Sequence, residues 1–186
     1  MEFGTPERRI AVPRRRFVAG ALAAACAGRA AAQSTGELPD PVGRVILSVG
    51  GRIARANARD RSGAPRADFD RAMLDALGEV EIATTTRWHR GVQRFQGVSG
   101  VAVLAAAGAD GEQLRAVALN DYAVTIPVDD FRRGRAILAL RANGRDLSVR
   151  EKGPVFVVYD FDRLPAAEME TWIARAVWQL RRLEVR

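Results

Sequence analysis

The stretch "RAILALRANGRDLSV", residues 135–149, constrains the fold more than any other part of the chain. An apolar run meets Asn143-Gly144, and both residue types tolerate the positive φ that a two-residue hairpin turn requires. The run must therefore double back as an antiparallel return strand. Around it lie further short apolar stretches with turn residues between them. They do not alternate strictly with helical patterns, which argues against a doubly wound parallel sheet. The expectation is a mixed α+β fold, rich in β, with a curved or barrel-like sheet.

Val45, Leu47 and Val49 alternate within "GRVILSVGGRIA" (43–54) and predict a strand that turns back as a hairpin at Gly50-Gly51. Residues 57–68, "NARDRSGAPRAD", read as a turn-rich loop. Asp68 is placed to cap a helix whose apolar face is Phe69, Ala72, Met73, Ala76 and Leu77, with Gly78 as its stop. Val80 to Thr86 is a β-branched strand, and Val92 to Phe95 a second short one. Ser99 is expected to cap a helix that turns Val101, Leu104 and Ala105 to the core and ends at Gly108. "LRAVALNDYAVTIPV" (114–128) predicts two strands broken at Asn120-Asp121, then one helical turn, "VDDFRRG". Gly153-Pro154 opens a buried strand, "VFVVYDF"; residues 166–175 suit a helix, and "VWQLRRLEVR" a closing strand. There is no internal repeat.

The 186 residues, 48% of them hydrophobic, suffice for one domain with one core. No apolar run reaches the ~18 residues of a membrane span. Residues 1–32 read as an export signal. Arg14, Arg15 and Arg16 are its basic region, Phe17 to Gly28 its apolar small-residue stretch, and "RAAAQ" offers cleavage after Ala32. "RRRFVAG" fits a twin-arginine leader. Cys26 after "LAAA" offers an alternative, a lipoprotein anchor. Residues 33–42, with Pro39 and Pro41, form an extended lead-in, and the domain is expected at 43–186. The expected location is the periplasm, with no span left after cleavage.

Removing the leader lowers the formal net charge from +7 to +3, because it carries six arginines against two acids. No clustered basic face with stacking aromatics is legible, so nucleic acid is not an expected partner. Cys26 is the only cysteine, so a chain cut at Ala32 has no disulfide, thiolate nucleophile or cysteine metal ligand. A single histidine makes a zinc site poor. No phosphate-binding loop, dinucleotide fingerprint or HExxH motif is present.

Three stretches could carry chemistry. Thr84, Thr85, Thr86, Arg87, Trp88 and His89 sit where a strand leaves the sheet, and hydroxyls with a guanidinium suit an anionic or polar ligand. Asn120, Asp121 and Tyr122 interrupt an apolar run; an acid and an amide there could hydrogen-bond a ligand, or simply make a turn. Lys152, the only lysine, precedes Gly153-Pro154, where backbone can approach a ligand closely.

Taken in order, "SVGGRI", "W…GVQRFQGVSGVAVLAAAG", "LRAVALNDYAVTIPV", "SVREKGPVFVVYDFD" and "VWQLRRLEVR" resemble the molybdopterin-binding domain of the sulfite-oxidase-like oxidoreductases. The resemblance covers roughly Pro41 to Arg186 and is nearest in kind to short exported bacterial members. It implies a β-rich α+β fold. It also implies a molybdenum-binding cysteine at the end of the strand at 80–86. In one bacterial branch a tryptophan follows that cysteine four residues later; Trp88 has that place here, so Thr84 holds the cysteine position. Thr85 and Thr86 are not cysteines either. Phe95-Gln96-Gly97 matches the W-x-G leading into the next helix, and Asn120-Asp121-Tyr122 matches an Asp-Gly-Tyr element near the active site. Lys152-Gly153-Pro154 matches the Gly-Pro turn before the penultimate strand. Two departures stand out. A threonine hydroxyl is a hard donor and does not replace a soft thiolate on molybdenum without a large loss of affinity. The basic loop that helps hold the pterin phosphate is replaced by "RLPAAEMETWIARA".

The implied cofactor- or ligand-binding set is Thr84, Thr85, Thr86, Arg87, Trp88, His89, Asn120, Asp121, Tyr122 and Lys152. The first functional reading is a binding module without cofactor or metal redox chemistry, taking a small polar ligand or a membrane-bound signalling partner. The alternative is a molybdopterin-dependent oxidoreductase of atypical metal ligation. The twin-arginine-like leader favours it, since that route exports folded, cofactor-loaded proteins. A third reading is a scaffold protein with a vestigial pocket.

Overall fold

The first strand and the last lie side by side. In the computed structural model, which describes residues 38–186 together with Met1, β1 (Val45–Gly51) pairs in parallel with β11 (Leu180–Val185), Ser48 opposite Arg182 and Gly51 opposite Val185. The expected leader, Cys26 and residues 33–37 of the lead-in lie outside the described residues. Residues 38–44 carry no regular secondary structure.

Around this pair a six-stranded sheet forms. It adds β2 (Ala58–Arg59), β3 (Pro65–Asp70), β6 (Gln113–Ala118) and β7 (Ala123–Pro127), in the order β2-β3-β1-β11-β6-β7. All its other pairings are antiparallel. A second, antiparallel sheet runs β10 (Phe156–Tyr159), β8 (Ala136–Ala142), β5 (Gln93–Val98), β4 (Glu79–Thr84), with β9 (Arg145–Asp146) folded back on β8. Short helices α1 (Arg71–Asp75), α2 (Gly100–Ala106), α3 (Val128–Arg132) and α4 (Met169–Arg175) fill the connections. The fold is α+β and rich in β, as expected. Neither sheet closes into a barrel. Leu47, Val49, Leu114 and Leu183 of one sheet join Phe95, Leu138, Phe156 and Val158 of the other in one buried cluster. Each sheet thus covers the other's apolar face, and closure is not needed to bury it.

Several local expectations change. The strand does not turn back at Gly50-Gly51. It runs through Gly51, where a Cβ would stand 2.3 Å from the Val185 carbonyl oxygen, so the chain passes tightly beside β11. Residues 57–68 are not a plain loop. They hold β2, a tight turn in which the Asp60 carboxylate accepts from the Ser62 and Ala64 amides, and the start of β3. Asp68 is not a helix cap. It lies buried in β3, where its carboxylate accepts from Ser48 Oγ at 2.6 Å, and Phe69 is buried beside it as a strand residue. The cap is Asp70, which accepts from the Met73 amide at 2.9 Å. Leu74 is the buried residue of that helix. Gly78 does end the segment, at φ +94°. In α2 the Ser99 hydroxyl makes no capping bond; Val103 and Leu104 are buried, while Val101 is exposed and Ala105 faces out. The Asn143-Gly144 turn forms with positive φ at both residues, but the return strand is only two residues long before a 3-10 turn at Val149–Glu151.

β5 crosses β8 so closely at Gly97 that a Cβ there would lie 2.0 Å from the Leu138 carbonyl oxygen. Gly97→Ala should cost about 1–3 kcal/mol or more in urea unfolding, the usual penalty for overpacking a buried contact. Gly50→Ala, whose Cβ would meet nothing nearer than 3.9 Å, should cost under about 1 kcal/mol.

Candidate functional site

The hairpin of β4 and β5 is joined by residues 85–92, which hold most of the "TTTRWH" stretch. Three attachments fix this loop. The Asp162 carboxylate accepts from the Thr85 amide at 2.8 Å and from the Thr85 hydroxyl. Those bonds hold the Asp162 carboxyl below its ordinary range. Arg87 pairs with Glu170 on α4 at the surface. Trp88 packs edge-on against Phe156, Phe161 and Trp178, with ring centroids 5.9, 5.9 and 5.2 Å away.

Thr84 is fully buried. Its hydroxyl donates to the Thr85 carbonyl and accepts from the Asp162 amide, both at 3.2 Å. That tests the molybdopterin expectation on this chain's own donors. The side chain at the expected metal-ligand position is a hydroxyl spent on two internal backbone groups, and a hard oxygen is a poor substitute for a soft thiolate. Among the described residues there is also no cluster of three or more His, Cys, Asp or Glu side chains able to hold a metal ion. The residues present do not fit a metal-ligating centre at Thr84.

The loop borders two clefts. On one side Thr85, Thr86, Arg87 and Trp88 face Phe161, Asp162, Met169 and Ile173 around a volume of about 220 Å³. On the other, His89 lines a cleft of about 240 Å³ with Gln93, Asn143, Arg145, Arg150 and Lys152. His89 is half-buried. Its Nδ1 lies 2.8 Å from Thr86 Oγ1, and its ring meets Phe95 edge-on at 5.8 Å. Burial first, then the positive charge of Lys152, pushes its pKa below the ordinary 6.5. The imidazole is therefore neutral at pH 7.

Local chemistry builds the Lys152 wall. Ser148 caps the 3-10 turn in a reciprocal capping box with Glu151. Those bonds to Ser148 hold the Glu151 carboxyl below its usual range, so it stays ionised at the edge of the cleft. Lys152 follows at φ +74°, and its ammonium sits 4.8 Å from the Trp178 ring centroid, a cation–π contact. A Cβ on Gly153 would fall 2.0 Å from the Leu147 carbonyl oxygen. The close approach foreseen at Gly153-Pro154 is thus to the chain's own backbone. The other acid of the cleft, Asp146, is paired with Arg71 and Arg141. Arg145, Arg150 and Lys152 form no ion pair among the described residues.

The expected site residues therefore do not share one pocket. His89 and Lys152 come together, while Thr85 to Trp88 line the opposite cleft. Asn120, Asp121 and Tyr122 line neither. They form the β6–β7 turn, with Asp121 at φ +64° and paired to Arg181, and the Tyr122 hydroxyl donates to the Ala174 carbonyl at 2.9 Å. Their connection to Lys152 is through backbone: Leu119 donates to the Gln179 carbonyl, and Gln179 donates to the Lys152 carbonyl. Sequence reasoning missed Trp178, which touches both Trp88 and Lys152, and Asp162, which holds the loop. A tryptophan opening the last strand was the available signal for Trp178; nothing local marks Asp162. No protein-family model matches the chain, and no curated protein matches it.

Thr84→Val keeps the shape and removes the hydroxyl, leaving the Asp162 amide without its acceptor. It should lower stability by about 1–2 kcal/mol in chemical denaturation. An unchanged midpoint would mean the hydroxyl is free for another role.

Proposed function

We propose that this domain is a binding module for a small anion, with the cleft between His89 and Lys152 as its site. The observation that carries the reading is an excess of positive charge. Arg145, Arg150 and Lys152 face one small cleft; of its two acids, Asp146 is paired with Arg71 and Arg141, which leaves the Glu151 carboxylate as the remaining counter-charge. The surplus of like charge favours an anion that neutralises it. The two guanidiniums suit an oxyanion bound by paired N–H donors. The neutral imidazole adds a group that hydrogen-bonds without charge, while the Gln93 and Asn143 amides bond each other and nearby backbone and so shape the cleft wall.

Size narrows the class. A volume of about 240 Å³ is below the roughly 300–1,000 Å³ typical of drug-sized ligands. Sulfate, phosphate or a short carboxylate suits it. No chemical step is assigned, because the cleft offers a neutral base but no side-chain nucleophile activated beside it.

Calorimetric titration with sulfate and phosphate tests this. Binding should weaken at least about tenfold in Arg150→Gln and in Lys152→Gln, and should weaken with rising ionic strength. Absence of binding by sulfate, phosphate and acetate, or unchanged affinity in both variants, would overturn it. Stoichiometric molybdenum and pterin in protein from a molybdenum-replete bacterial host would favour the oxidoreductase reading instead.

A further inference from the structure

A second, larger cleft lies elsewhere on the domain and belongs to no reading above. It opens on the outer side of the six-stranded sheet and has a volume of about 610 Å³. That falls inside the range usual for small-molecule sites. Strand alternation creates it. Leu47 and Val49 of β1, Ala67 and Phe69 of β3, and Leu183 and Val185 of β11 point into the core. Their neighbours Ile46, Ser48, Arg66 and Arg182 must then face the other side. Register places Ser48 directly between Asp68 and Arg182, so the polar row continues across three strands.

Five arginines line the cleft: Arg44, Arg61, Arg66, Arg181 and Arg182. One acid, Asp60, lines it with them, and its carboxylate is turned onto Ser62 and the Ala64 amide, which keep it ionised. Arg66 pairs with buried Asp68 at 2.7 Å, Arg181 pairs with Asp121, and Arg182 reaches Glu184 only at 3.8 Å. Arg44 and Arg61 form no ion pair among the described residues. The Arg66 and Arg182 side chains are each about a third exposed although their Nε atoms are shielded within the packing, and the reachable part of a guanidinium is best matched by an oxyanion. Beside the arginines stand Val45 and Leu119, both substantially exposed, with Leu180 and Pro154. The lining therefore offers an apolar wall and a cationic floor.

We infer that this cleft binds a small phosphomonoester with an apolar body, its dianionic head on the arginines and its body against Val45 and Leu119. The site is independent of the His89–Lys152 cleft, which differs in size and shares none of these lining residues.

The test is NMR of the arginine Nε–Hε signals during titration with phenyl phosphate. The Arg66 and Arg182 signals should shift, with phenyl phosphate binding about tenfold tighter than inorganic phosphate and phenol not binding. Arg44→Gln combined with Arg61→Gln should weaken phenyl phosphate about tenfold; both side chains are exposed, so the melting temperature should hold. Arg163→Gln, exposed and lining neither cleft, should leave this binding unchanged. Silent Arg66 and Arg182 signals, unchanged affinity in the Arg44/Arg61 variant, or loss of binding in Arg163→Gln would each overturn the inference.

Discussion

The parallel pairing of β1 with β11 is the contact on which the rest of the molecule depends. It joins the two ends of the domain and places β11 between β1 and β6 at the middle of the larger sheet. Parts of both clefts rest on that strand. Trp178 and Gln179 lead into it and hold the Trp88 and Lys152 walls, while Arg181 and Arg182 near its start line the arginine cleft. A strand fixed on both sides cannot slide without moving every side chain to the wrong face. That rigidity allows exposed loops to present charge in a constant arrangement.

The same logic explains the loop at 85–92. A long polar connection would ordinarily be mobile. Here Asp162 holds Thr85, and Trp88 is clasped by three aromatic rings from separate segments. Thr84, where the resemblance would place a metal ligand, is turned inward and helps support that arrangement. Its contribution is to hold the loop. The cationic residues of the neighbouring cleft come from a different source, the capped turn that carries Arg150 and Lys152.

Much of the fold was legible in the sequence because strands with one buried face alternate. Leu47 and Val49 announced β1, and Asn143-Gly144 announced the hairpin. The "ADFD" segment misled because two aspartates compete for one cap. Phe69 fits a helical face with Met73 and an alternating strand with Ala67 equally well, and the cross-strand bond from Ser48 to Asp68 decided for the strand. The hairpin expected at Gly50-Gly51 failed because the partner of β1 on that side is the distant β11. For the site, the loop's polarity at a strand end was legible, and so was the singular Lys152. What brings Lys152 to His89 was not, since it runs through Trp178 and a turn far along the chain. The separation of Asn120–Tyr122 from this cleft is equally non-local.

His89 is the only histidine, so one imidazole signal reports on the cleft without assignment. The most direct measurement is its NMR titration with and without sulfate. In the free protein the midpoint should lie below 6.5, because burial and the Lys152 charge disfavour the imidazolium. Sulfate bound beside Lys152 should offset that charge and move the midpoint up. A midpoint at or above 6.5 in the free protein, or one that sulfate does not move, would contradict a shared His89–Lys152 anion site.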